Sequence, residues 1–304
     1  MDISRVDPEL RARLGRMPAM HLENRVVLAA VGRVSRAIPG TRVDGVIRRI
    51  VRLGDGARLR VYTPATPSGA GLLWIHGGGL VLGAASMDDR FCGDTARQLG
   101  VVIVSVDYRL APRHPFPAAL DDAHRGWEWL TFHAGELGIS TARLAVGGQS
   151  AGGGLAASLV QRLHDEGAGV AAQWLFCPML DDRTARDRTR DAEDHFVWSN
   201  RSNLVGWRSY LGAAFGTDDV PRYAVAARRE DLSGLPPAWL YTSDIELFHD
   251  EDVAYAQRLR AAGVDTTLDV ISGAPHGVEA WAAGSGIARS LLKRARRWLG
   301  HALG

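Results

Sequence analysis

The sequence predicts an α/β fold, a mainly parallel sheet of eight strands with helices on both faces, and three observations carry that expectation. From Val46 onward short apolar runs alternate with helical patterns, the rhythm that generates crossover units. The runs 71–75 and 101–106 are almost wholly apolar, and far shorter than the roughly 20 residues a membrane helix needs, so they suit buried strands. Near the C-terminus Ile287, Leu291, Ala295 and Trp298 recur at helical spacing, with arginines on the opposite side.

Taken in order, strands are expected over residues 46–53, 58–62, 71–76, 101–107, 143–148, 173–177, 238–242 and 266–271. Helices are expected over 117–133, 151–166, 250–262 and 278–299. Two segments break the rhythm. Residues 1–40 look helical without a strand, and residues 183–225 pass from a charged run into an aromatic stretch holding Phe196, Trp198, Trp207, Tyr210 and Phe215. Both are expected to cover the open end of the sheet as a cap, around a core made of 41–182 and 226–304.

Composition bounds the function. At 304 residues, 46% hydrophobic and 23% charged, the chain is long enough for one large domain carrying an insertion. A formal charge of +2, with 36 basic residues spread among 34 acidic ones, gives no footprint for nucleic acid. The first twenty residues hold Asp2, Arg5, Asp7, Glu9, Arg11, Arg13 and Arg16, which leaves no room for the apolar core of a secretory signal, so a cytoplasmic location without membrane insertion is expected. Cys92 and Cys177, both in apolar surroundings, read as two buried thiols rather than a disulfide or a cysteine metal site.

The chemistry lies in three distant segments. Gly148-Gln149-Ser150-Ala151-Gly152 matches G-x-S-x-G where an expected strand meets an expected helix. A serine on so sharp a turn needs neighbours without bulk, and the turn thrusts its Oγ into the open. The bland alternatives are a helix-capping serine or a phosphate cradle, but neither G-x-G-x-x-G nor G-K-[ST] is present. His76-Gly77-Gly78-Gly79 follows the run 71–75; bare glycine N–H groups can approach a developing oxyanion. The N–H groups of Gly78, Gly79 and Ala151 are the candidate donors, with Gly77 supplying the bend. Of ten histidines, His276 stands in the loop after the last strand and before the last helix, which brings it to the sheet end that holds Ser150. A neutral imidazole there can take the serine proton and return it. A carboxylate after the strand 238–242 completes the order serine, acid, histidine. Asp244 and Glu246 both qualify chemically; those from Asp250 onward begin a helix.

With these residues in view, the chain from about Leu53 to the end resembles the hormone-sensitive-lipase family of α/β-hydrolase esterases. The resemblance rests on His76 to Gly79, on Asp107-Tyr108-Arg109-Leu110-Ala111-Pro112 with His114-Pro115-Phe116-Pro117-Ala118, on the serine motif, on 231–237 and on the His276 loop. It implies an α/β-hydrolase fold with a two-part helical cap and a carboxylic ester hydrolase for short to medium acyl esters. It further implies a serine acyl-enzyme, a small-molecule ester as substrate, no cofactor and no metal, and it is compatible with a homodimer. Family members commonly read D-L-F-R-D-E-D or D-P-L-R-D-E-G before a tyrosine and alanine. Counting back from Tyr255-Ala256 through Glu246-Leu247-Phe248-His249-Asp250-Glu251-Asp252 places Glu246, not Asp244, at the catalytic acid. Two departures stand out: Gln149 replaces the acid usual before the nucleophile, and Arg113 a usual glutamate. Acyltransferase and amidase chemistry would use the same groups, whereas the related plant gibberellin receptors lack the histidine that His276 provides.

Overall fold

The computed structural model describes residues 2–17, 22–54, 56–193 and 195–304. Its centre is one eight-stranded sheet in the order β1-β2-β4-β3-β5-β6-β7-β8. The strands are β1 Val46–Arg52, β2 Arg58–Pro64, β3 Gly71–Ile75, β4 Val102–Asp107, β5 Leu144–Gln149, β6 Ala172–Phe176, β7 Ala238–Ser243 and β8 Thr266–Ile271. β2 runs antiparallel to both of its neighbours, and the strands from β4 across to β8 are mutually parallel. The eight expected strands are therefore all present, each within two residues of its expected ends.

Ten α-helices surround the sheet among the described residues: α1 Pro8–Leu14, α2 Arg25–Ala37, α3 Asp89–Leu99, α4 Ala118–Phe132, α5 Ala151–Asp165, α6 Asp182–Arg186, α7 Asn200–Leu211, α8 His249–Ala261, α9 Val278–Trp281 and α10 Gly286–Ala302. None is long and apolar enough to cross a membrane. Strand side chains alternate between two cores, so Leu73 and Ile75 join α4, α5 and α8 on one face while Leu72 and Trp74 join α1, α3 and α10 on the other. Trp74, Trp174, Phe176 and Trp239 form an aromatic cluster of edge-on and tilted contacts in the second core. Cys92 and Cys177 are buried free thiols.

Three features differ from the sequence expectation. The last helix is interrupted: α9 ends at Trp281 and α10 restarts behind Ser285, whose hydroxyl accepts from Ala288 N at 3.1 Å and caps it. α3 buries Cys92, Gly93, Thr95 and Ala96, a face of small residues with little apolar signal. α1 lies against a face of the sheet, not over its end: Val6, Leu10 and Leu14 enter the second core. Glu9 there accepts from Gly286 N at 2.6 Å, so α1 braces the start of α10. α2 instead reaches the loop after β3, where Ser35 Oγ accepts from Gly83 N at 3.2 Å.

The site's position follows from how closely α5 crosses the sheet. A Cβ on Gly152 would sit 2.1 Å from the carbonyl oxygen of Ile75 and 2.4 Å from that of His76, so only glycine allows this approach. Gly152→Val should therefore destabilise the fold by on the order of 3 kcal/mol, as overpacked backbone contacts do, visible as a lowered urea midpoint; a wild-type midpoint would disprove the close crossing.

Candidate active site

Ser150 follows the last residue of β5 and precedes α5, with φ 55° and ψ −121°. Such a backbone is costly for a residue with a Cβ and persists only where its surroundings fix it. Here Ser150 N donates to Phe176 O at 2.8 Å, and Ser150 O accepts from Gly154 N at 3.0 Å and Met179 N at 2.9 Å. The turn is thereby tied to the end of β6, and Oγ is left facing the loops from β7 and β8.

The imidazole and the carboxylate arrive from those loops. His276 Nε2 lies 2.9 Å from Ser150 Oγ, and His276 Nδ1 lies 2.5 Å from Glu246 Oε2. The second Glu246 oxygen accepts from Thr242 Oγ1 at 2.8 Å and from Ser243 N at 2.9 Å, so the carboxyl cannot rotate away. Trp281 Nε1 donates to His276 O at 2.9 Å, and the Phe248 ring meets the imidazole edge-on at 5.2 Å. All three side chains are buried. Asp244 is exposed and points elsewhere: its two oxygens accept from Ser272 Oγ and Gly273 N, both at 2.8 Å. Glutamate's extra methylene lets the residue further along the turn reach the histidine, while the aspartate anchors the loop that carries it.

The glycine loop runs beside the serine. A Cβ on Gly77 would lie 3.4 Å from Ser150 Cβ. The bend expected at Gly77 falls instead on Gly78 and Gly79, with φ 121° and 58°, because a left-handed backbone is what turns the chain here and Gly77 is needed for space. Among the described residues no hydrogen bond occupies the N–H groups of Gly78 and Gly79, and Ala151 N is at the open first turn of α5. The loop is braced from below by Tyr108, whose hydroxyl donates to His76 O at 3.2 Å and whose ring stacks on His76 at 4.3 Å, and by Ala111 N donating to Leu80 O at 3.0 Å. Arg113 is exposed.

Trp198 and α7 pack against this loop. A Cβ on Gly79 would meet the Trp198 ring at 2.0 Å, and one on Gly206 of α7 would lie 2.6 Å from Gly79 O. A small cavity beside the elbow is lined by Leu80, Ala151, Leu155, Met179, Trp207 and Tyr210.

Several groups around the site gave no clear sequence signal. Glu251 is buried in α8, its carboxyl accepting from Leu180 N at 2.7 Å and Asp181 N at 3.2 Å, and burial pushes it up to about 8. Asp252 is fully buried, and burial first, then the nearby Glu246 and Glu251, holds its carboxyl well above the usual range. All three acids from Asp250 onward begin α8, as read from the sequence, but only Asp250 is exposed. Cys177 Sγ, with Glu246 and His276, offers the only three such ligand atoms within reach of one ion among the described residues, 4.8 Å apart or less. Burial raises the thiol and keeps it protonated, and the other two groups are already bonded to each other, so an ion would have to displace the proton they share.

A serine on the strand-to-helix turn after β5, a carboxylate and an imidazole on the loops after β7 and β8, and a glycine loop alongside define a hydrolase site of the α/β type. Residues 72–280 match a family model described as alpha/beta hydrolase fold. Esterase LipI of Mycobacterium tuberculosis is 31% identical over 84% of this chain and 82% of its own length, and ethyl acetate hydrolase of Pseudomonas putida is 34% identical over 74% and 72%. Among solved structures, a bacterial heroin esterase superposes with a TM-score of 0.91 at 35% identity, covering 99% of both chains. The chain belongs to the hormone-sensitive-lipase family of α/β-hydrolase esterases.

The anchoring role of Asp244 is open to a direct check. Asp244→Ala should cost about 1 kcal/mol, the net worth of exposed hydrogen bonds, and speed amide exchange at Gly273; unchanged exchange would remove Asp244 from that role.

Proposed function

We propose that this protein hydrolyses short-acyl carboxylic esters, with Ser150 as nucleophile, His276 as general base and acid, and Glu246 as the carboxylate that orients the imidazole. The observation that carries the reading is the unbroken run of contacts from Glu246 through His276 to Ser150 Oγ, 2.5 and 2.9 Å in turn. Glu246 fixes the tautomer with the proton on Nδ1, leaving Nε2 free to accept. As Oγ attacks the acyl carbon its proton passes to Nε2, and the carbonyl π pair moves to oxygen. The N–H groups of Gly78, Gly79 and Ala151 face that oxyanion, and donors so placed typically lower the barrier by a few kcal/mol. Collapse breaks the bond to the alkoxide, which leaves with the Nε2 proton. Water then repeats the sequence on the acyl-enzyme: it gives a proton to Nε2, attacks the carbonyl, and Ser150 regains its proton as the acid departs.

α2 and the segment around Trp198 and α7 act in this reading as a two-part cap, supported by Trp198 over Gly79 and by α2 beside Gly83. The closeness of Trp207 and Tyr210 to the elbow favours short acyl groups, as does the name of the ethyl acetate hydrolase relative. The paired His276 and Ser150 favour catalysis over a non-catalytic receptor.

Ser150→Ala should lower kcat for p-nitrophenyl acetate on the order of 10⁶-fold, as loss of a serine nucleophile does elsewhere, and abolish labelling by an organophosphonate; labelling that survives points to another nucleophile. Glu246→Gln should cost on the order of 10³- to 10⁴-fold in kcat and Asp244→Asn under about tenfold. The reverse ranking in steady-state assays would reassign the acid.

A further inference from the structure

The residue before the nucleophile has its own partner across the site. Gln149, the last residue of β5, donates from Nε2 to Glu279 Oε1 at 2.7 Å, and Tyr241 OH of β7 donates to Glu279 Oε2. Glu279 lies in α9, three residues beyond His276, and its side chain is 5% exposed. The Gln149 amide lies between the two loops: its Oε1 would lie 3.0 Å from a Cβ on Gly77, and its Nε2 3.1 Å from one on Gly277. One side chain thus touches the glycine loop, the histidine loop and, through Glu279, the end of β7.

We propose that Glu279 is a positioning residue for the reaction: its carboxylate ties the histidine loop to the nucleophile turn through Gln149 and Tyr241 and stabilises the imidazolium formed when Ser150 attacks. This rests on the reading of Ser150 and His276 given above. Unlike the buried Asp252, Glu279 has side-chain donors on both oxygens, which offset part of the cost of burying its charge. Burial pushes Glu279 up to about 7, against the hydrogen bond from Tyr241, the nearby His276 and the bond from Gln149. The titratable groups that face it are Tyr241 from β7, Cys177 after β6, and His276 of its own loop; Arg289 and Lys293 of α10 line the groove on its outer side. The sign follows: Glu279 is neutral below about 7 and negative above it, so its support for the imidazolium arrives as pH rises.

The rise of kcat/KM with pH then contains two ionisations, that of His276 and that of Glu279. Four proteins decide it, assayed with p-nitrophenyl acetate from pH 5 to 9: wild type, Glu279→Gln, Gln149→Leu and the exchange Gln149→Glu/Glu279→Gln. Glu279→Gln should lower kcat at least about tenfold, roughly one ionic contact's worth, with KM within about twofold, and reduce the rise to one ionisation completed at lower pH. Gln149→Leu leaves the Tyr241 bond but takes a donor from the carboxylate, so its rise should extend to higher pH. The exchange variant restores the bridge with the charge on the other side and should recover most of the lost kcat. Opposite displacements in two variants of one bridge are not what a merely loosened fold produces. Wild-type kcat and pH profile in Glu279→Gln overturn the proposal. Should that variant not fold, an unaltered profile in Gln149→Leu does so. Organophosphonate titration counts functional serines in each protein. A wild type that neither labels nor turns over ester condemns the reading of the site itself, whereas full labelling with unchanged kinetics condemns only the role of Glu279.

Discussion

A serine backbone at φ 55° and ψ −121° is the constraint from which the rest of the site follows. It is strained on its own, and what holds it is the tight crossing of α5 over β3 and the bonds that Ser150 makes to Phe176, Gly154 and Met179. The same crossing that fixes the turn brings the carbonyls of Ile75 and His76 against Gly152, so the loop leaving β3 has to emerge beside the nucleophile. The glycine loop and Ser150 Oγ are thus brought together by one packing contact, which Tyr108 and the bond from Ala111 N to Leu80 O then brace.

Sheet order does the remaining assembly. Because β5, β6, β7 and β8 are adjacent and parallel, the chain segments leaving them emerge at one edge in the order serine, Cys177, acid, histidine. Each segment is then trimmed locally. Thr242 and Ser243 immobilise Glu246, Asp244 holds Ser272 and Gly273, and Trp281 reaches back to His276. The two acids that chemistry alone left equivalent have different tasks for a geometric reason, since only one of them points inward.

Much of this was legible in the sequence, and what was not has a physical cause. The strands announce themselves because burial on both faces demands continuous apolar runs, as in Gly71–Ile75. Ser150 and His276 stand out because their neighbours are small and their order along the chain is informative. α3 stayed hidden because its buried face is made of Cys92, Gly93, Thr95 and Ala96, which packs by closeness rather than by bulk. The break before α10 depends on a single capping serine inside an otherwise helical pattern. Glu251 and Asp252 begin α8 as expected, but their burial was not legible, because acids at the start of a helix are ordinarily solvated and nothing in the residue type tells that α8 turns these two inward. The pairing of Gln149 with Glu279, 130 positions apart, has no periodic signature at all.

Burying several carboxyl groups around one histidine raises a question of charge. Glu246, Glu279 and Asp252 are all within the same protein-lined region, and like charges so close cannot all ionise in a medium of low polarity. The structure resolves the conflict by giving them unequal partners. Asp252 has only Thr242 as a weak hydrogen-bonding neighbour, and burial holds its carboxyl well above the usual range. Glu279 has two donors and sits near the balance point, about 7. Glu246 has two donors on one oxygen and the imidazole on the other, the fullest set of partners of the three. Hydrogen-bond donors are therefore concentrated on the carboxyl that meets the imidazole, and the neighbouring carboxyls can carry charge only to the extent that their own donors permit.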